Sequence, residues 1–148
     1  AQKMRYAFSA FFSSGVLMPL GYEWGFRKKM DVVNMTPDDF EQKNIDISNY
    51  IKRANTIKYK FKIFQQDSEM EILSSVDDVF FCMLKYNSNT EKAIVIINKD
   101  TKNMQTFDLN KLREMRGVSN FKNIVFPLKQ KLEDYNKEYL PGETRIIV

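Results

Sequence analysis

The sequence predicts an α+β fold, helical in its first half and built of short strands in its second. Apolar residues recur twice at helical spacing before residue 66. Beyond that point the apolar runs are short and divided by polar turn residues. No internal repeat or low-complexity segment interrupts this division.

Met4, Ala7, Phe8, Phe11 and Phe12 fall at i, i+3, i+4, i+7 and i+8, one apolar stripe of a first helix. Ser13-Ser14-Gly15 ends it. The run Val16-Leu17-Met18-Pro19-Leu20, bounded by Gly15 and Gly21, predicts a short strand buried on both faces, as in a parallel sheet. Pro19 cannot donate to a ladder, so it is placed where this strand ends. Residues 21–44 are irregular and charged, a length of loop that usually serves as a lid or a functional segment. Within it, Thr36-Pro37-Asp38-Asp39 reads as a short helix start, with Thr36 as cap and Pro37 in the first turn.

A second helix is expected from Asp46 to about residue 65, its buried face traced by Ile47, Tyr50, Ile51, Ala54, Ile57, Phe61 and Phe64. Asp67-Ser68 ends it. Strands are expected over 79–86, 93–97, 104–109, 121–126 and 144–148, joined by polar connections at Asn87-Ser88-Asn89 and 99–103. Short strands at this spacing predict an antiparallel β-sandwich. The division into domains is placed at 1–70 and 71–148. The order helix, buried strand, long loop, helix describes the last unit of a (β/α)8 barrel, although periodicity alone allows other α+β arrangements.

Composition narrows the chemistry. An apolar fraction of 43% with 12 Phe is enough for a core. No apolar run approaches the roughly 20 residues of a membrane span, so no membrane partner is expected. No leader with a small-residue cleavage site is read at the start. Cys82 sits in the apolar run 79–84 and reads as a small buried hydrophobe; one thiol makes no internal disulfide, which suits a cytoplasmic location. The chain has no His, which removes Ser-His and Cys-His pairs and the usual transition-metal sites. Its five Gly are scattered at 15, 21, 25, 117 and 142, so no glycine-rich phosphate loop exists. No cofactor and no metal are expected. The net charge is +4, but the basic residues are interleaved with acids except for Lys52, Arg53, Lys58, Lys60 and Lys62. That set reads as the solvated face of the second helix, and no nucleic-acid partner is expected.

The stretch Ser14-Gly15-Val16-Leu17-Met18-Pro19-Leu20-Gly21-Tyr22-Glu23-Trp24-Gly25-Phe26 resembles the eighth barrel strand of the α-amylase superfamily, glycoside hydrolase family thirteen. Its most specific element is Gly21-Tyr22-Glu23-Trp24-Gly25, matching the family's Gly-x-Glu-x-Gly. Met4 to Ala10 is similar to the seventh barrel helix, and Asp46 to Lys58 to the eighth. Ala93-Ile94-Val95-Ile96-Ile97-Asn98 and the terminal residues 140–148 resemble strands of the family's small β-domain. The long acidic loop resembles that of maltosyltransferase-like members acting on α-glucans.

The resemblance implies a carboxy-terminal fragment of an α-glucan-active glycoside hydrolase or glycosyltransferase. Retaining cleavage needs two carboxyl groups about 5–5.5 Å apart, projecting from several barrel strands. In the family these lie on strands before the eighth, so this segment is expected to support the barrel and carry no catalytic residue. The absence of His agrees with loss of the family's His-Asp signature, and a start at Ala1 inside a helical stripe fits a fragment. The family's calcium ligands, where present, would also lie upstream. Tyr22, Glu23 and Trp24 become the candidate substrate-binding residues, with α-glucan or maltooligosaccharide as the partner of the parent enzyme. Glu23 would lie at the edge of the sugar cleft; its plainer reading is an ion pair with Arg27 or a neighbouring loop. Tyr22, Trp24 and Phe26 would stack on sugar rings, or pack under the loop as core.

Asp38-Asp39 and Asp77-Asp78 are acid pairs by type only, the first explained by a helix start and the second by a turn. One strand and two helices cannot close a barrel. Residues 1–66 are therefore expected to meet an upstream barrel or a neighbouring chain, to self-associate, or to rearrange as a helical layer on the sandwich. The alternative function is a stand-alone carbohydrate- or protein-binding β-module without enzymatic activity.

Overall fold

A computed structural model describes residues 1–28, 31, 33–87, 91–113 and 121–148. The fold is mixed α+β: helices cover one face of a six-stranded antiparallel sheet. Helix α1 (Gln2–Phe12) buries Tyr6, Ala7, Ala10 and Phe11. This face is rotated from the expected stripe, because small Ala7 and Ala10 allow close approach while Phe8 stays 39% exposed at the flank. Helix α2 (Ser48–Lys60) buries Tyr50, Ile51 and Ala54. It is shorter than expected, because Phe61 takes an extended conformation before the 3-10 turn Lys62–Phe64. That break lets adjacent Ile63 and Phe64 both reach the core, where Phe64 meets Phe11 edge-on at 5.1 Å.

The strands are β1 (Glu69–Ile72), β2 (Phe80–Tyr86), β3 (Lys92–Asn98), β4 (Gln105–Thr106), β5 (Asn123–Phe126), β6 (Gln130–Lys131), β7 (Glu138–Tyr139) and β8 (Thr144–Ile147), with the one-turn helix α3 (Asn110–Arg113) after β4. The sheet runs β1-β2-β3-β8-β5-β6, every neighbouring pair antiparallel, and β4 with β7 forms a separate ribbon. Strand β1 falls in the stretch read as a domain boundary. The strand expected over 104–109 is cut to β4, although Phe107 and Leu109 are still buried. The connection expected at Asn87-Ser88-Asn89 lies largely outside the described residues.

Residues alternate between two cores. Met83, Val95, Ile97, Phe126 and Ile146 face the helices, with Tyr6, Phe11, Tyr50, Ile51 and Phe64. Cys82, Leu84, Ile94, Ile96, Ile124 and Ile147 face Phe107, Leu109, Phe121 and Tyr139 on the other side. Being covered on both faces explains the uninterrupted apolar run of β3. Cys82 is 2% exposed and burial pushes its thiol up to about 12, as a structural hydrophobe requires.

The expected buried strand at 16–20 is not formed. Val16 touches the helical core, but Leu17 is 98% exposed and Leu20 53% exposed. Pro19 has no N–H to donate, and its carbonyl instead accepts from the Tyr22 N–H at 3.2 Å in a turn. Among the described residues no strand lies beside this segment. The expected helix–strand–loop–helix unit is thus a helix–loop–helix layer on the sheet.

Two lysines tie that layer down. Lys85, only 1% exposed on β2, donates to the Phe12 carbonyl at 2.9 Å. Lys58 donates to the carbonyls of Ala10, Ser13 and Phe64 at 2.7, 2.6 and 2.5 Å. All but the Phe64 carbonyl lie at the end of α1, which leaves them without helical partners. Lys58 therefore leaves the solvated basic face on which it was expected, while Lys52, Arg53, Lys60 and Lys62 remain exposed.

Candidate functional site

The Gly-x-Glu-x-Gly segment folds as a 3-10 turn, Tyr22–Trp24, between two left-handed glycines with φ of 80° at Gly21 and 75° at Gly25. Both positions require glycine. A Cβ on Gly21 would also lie 2.1 Å from the Phe26 ring, since Phe26 folds back to donate its N–H to the Gly21 carbonyl at 3.1 Å. The spacing of the motif is therefore the spacing of a tight turn.

The returning end of the long loop anchors this turn. The Glu23 carbonyl accepts from the Ile47 N–H at 2.9 Å, and the Trp24 carbonyl from the N–H groups of Asn44 and Ile45 at 3.1 and 3.3 Å. Within the loop, the Glu41 carboxylate accepts from the N–H groups of Arg27 and Lys28. The short helix start expected at Thr36-Pro37 is the 3-10 turn Pro37–Asp39, and Thr36 and Asp39 form a capping box on it. The Thr36 N–H at 3.0 Å and hydroxyl at 3.1 Å hold the Asp39 carboxyl below its ordinary range. Asp78 is likewise spent on a turn, accepting from the Ser75 N–H at 2.6 Å.

The three candidate residues point to different tasks. Tyr22 faces inward: its hydroxyl donates to the Gln2 carbonyl at 2.9 Å and its ring lies 6.2 Å from that of Tyr6. Burial raises its phenol. It joins the turn to α1. Trp24 is half-buried, with Lys43 Nζ 4.4 Å from its ring centre, a cation–π contact. Phe26 lies 5.6 Å from Trp24 and 6.0 Å from Phe40, extending an aromatic row. Glu23 forms no ion pair with Arg27 among the described residues. Its Oε2 is instead buried with no hydrogen-bond partner among them. An unpartnered buried carboxylate oxygen is costly and calls for an explanation.

Sequence reasoning missed Lys43 and Phe40, which come to the turn from its far side. No short-range pattern marks them, since they lie well beyond one helical or strand repeat from Trp24. The arrangement offers aromatic surface, a cation and a carboxylate, which suits binding of a polar, hydroxyl-bearing surface. Among the described residues no group of three or more Cys, Asp or Glu is placed to hold a metal ion. None of their helices is long and apolar enough to cross a membrane. No protein-family model and no curated protein sequence matches the chain.

Proposed function

We propose that this chain is the carboxy-terminal part of an α-glucan-active enzyme of the α-amylase superfamily, a glycoside hydrolase or transglycosylase whose catalytic carboxylates lie elsewhere. In this reading residues 1–70 complete the barrel, 71–148 form a small β-sandwich, and the chain supports the site without carrying its chemistry. The observation that carries it is the apolar segment 16–20, which reads as a buried strand yet leaves Leu17, Met18 and Leu20 exposed beside a glycine-bounded turn. Covering a single leucine such as Leu17 contributes about 1.5–3 kcal/mol, so partner strands have a ready gain in docking there. The unpartnered Glu23 Oε2 supports the same reading, because a neighbouring strand or loop would supply its missing donor.

Trp24, flanked by Phe26 and Lys43, is then the aromatic face offered to a maltooligosaccharide at the rim of the cleft, with Glu23 as an outer contact and Tyr22 holding the turn. Two measurements test the proposal. Incubated alone with maltooligosaccharides, the 148-residue chain neither hydrolyses nor transfers them; turnover would overturn it. The coding sequence upstream of Ala1 encodes carboxylates at the ends of successive predicted barrel strands, and their absence there would equally overturn it. Saturable binding of maltooligosaccharide by a chain with no such upstream region would favour a stand-alone binding module.

A further inference from the structure

A cleft of about 660 Å³ opens between the first turn of α1, the start of α2 and the loop leading into β8. Its lining includes none of Tyr22, Glu23 and Trp24. Its polar groups are unusual. The Tyr50 hydroxyl, on a residue 9% exposed, and the Thr144 hydroxyl, on a residue 1% exposed, lie close enough to interact with each other, and among the described residues neither has any other partner. Two buried hydroxyls with only each other for a partner leave hydrogen-bonding capacity on one wall that a ligand would fill.

The remaining groups decide which ligand. The carboxylates of the cleft are already engaged. Glu143 accepts from Arg145 Nε and from the Leu140 N–H, both at 2.7 Å, and Asp46 Oδ1 accepts from the Ser48 N–H at 2.9 Å. The cations are not: among the described residues neither Lys3 nor Arg53 is paired with a carboxylate. Lys3 Nζ lies 5.8 Å from the Tyr50 ring centre. The open hydrogen-bonding capacity of the side chains is thus mainly that of donors, set beside apolar Met4, Ile45, Leu128 and Leu140.

We infer that this cleft binds a small organic oxyanion, a carboxylate or phosphate ester with an apolar body, held by Lys3, Arg53 and the hydroxyls of Tyr50 and Thr144. Charge-assisted hydrogen bonds from the two cations fix the head group, and the apolar wall receives the body.

Titration of the chain with benzoate, phenyl phosphate and benzyl alcohol, followed by amide chemical shifts, tests this. Either anion is expected to give saturable shifts at Lys3, Tyr50 and Thr144, and the tighter of the two identifies the head group. Arg53→Gln weakens that binding about tenfold and Tyr50→Phe about fivefold, the size of a charged and a neutral hydrogen bond. Tyr50→Phe keeps the ring that meets Phe126 at 5.2 Å, so a thermal melt of this variant matches the parent chain. No saturable shift with either anion, binding of benzyl alcohol as tight as that of the anions, or unchanged affinity in both variants would overturn the inference.

Discussion

The sheet buries cationic side chains on both of its faces, and the two faces treat them differently. On the helical face Lys85 and, reaching in from α2, half-buried Lys58 donate to main-chain carbonyls, and among the described residues neither forms an ion pair. On the opposite face Arg145 is 6% exposed and donates from Nε to Glu143 Oε1 at 2.7 Å. Its other nitrogens donate to the carbonyls of Asn136 and Glu138, and its guanidinium lies 4.0 Å from the Tyr139 ring centre. The planar fork of arginine can satisfy a carboxylate, two carbonyls and an aromatic face at once. A lysine is a point charge, so a cluster of helix-end carbonyls suffices for it. Desolvation accordingly lowers Lys58 to about 8, with the Lys85 charge adding to it, and lowers Lys85 as well, against the opposing pull of the Asp67 carboxylate.

The contrast predicts a graded series. Arg145→Met is the largest change, expected to cost about 3–5 kcal/mol in urea unfolding because it removes the guanidinium from the partly buried Glu143 carboxylate and leaves the Asn136 and Glu138 carbonyls without their donor. Adding Glu143→Gln to that variant should recover part of the loss, since the orphaned charge goes with it. Lys85→Met is expected to cost only about 1–3 kcal/mol, the price of one unsatisfied carbonyl. A loss equal to that of Arg145→Met would erase the distinction between the faces.

The smallest effect is one of pH. Lys58 titrates at about 8 in the folded chain against an ordinary 10.5, so between these values the unfolded chain holds the extra proton. Stability therefore rises as pH climbs from about 8 toward 10.5, and Lys58→Met flattens that rise. Tyr6 and Tyr22, whose phenols burial raises above 10.0, work in the opposite direction only above that value. Buried Cys82, held up at about 12 against an ordinary 9.0, works in the opposite direction from about pH 9, and Lys85 adds to the rise. Lys58 is therefore isolated by the difference in denaturation midpoint between the parent chain and Lys58→Met from pH 8 to pH 9. A difference between the two that stays flat or shrinks over this interval would show that the three carbonyls hold Lys58 charged more strongly than burial opposes it.

Much of the fold was legible where one periodicity ruled alone. The stripes of α1 and α2 and the apolar runs of β2, β3 and β8 all became elements near their expected places. Length and burial misled at 16–20: an apolar run between glycines reads as a strand, but a strand needs neighbours with free N–H and C=O groups. Strand β1 was hidden because Glu69 and Glu71 break its apolar character; it lies at the sheet's edge, where charge is tolerated. At the candidate site, the sequence marks the two glycines only as part of a motif resembling the end of a barrel strand, whereas the structure gives both positive φ. What pairs with Trp24 was not legible, because Lys43 arrives from the far end of the loop. Nor was the inward turn of Lys58, since a basic helical face looks alike whether a lysine reaches water or a neighbouring helix end.

The position of β8 has a consequence in time. Thr144–Ile147 pairs with β3 on one side and β5 on the other, so it bridges the two halves of the sheet. Synthesis delivers it only after β1 to β7 have been made. Until residue 147 leaves the ribosome, β1 to β3 can associate as a meander, but β5 and β6 have no sheet to join and the floor under α2 is incomplete. Assembly is thus held to a late, long-range closing step, the kind that makes folding slow and leaves apolar edges waiting for a partner.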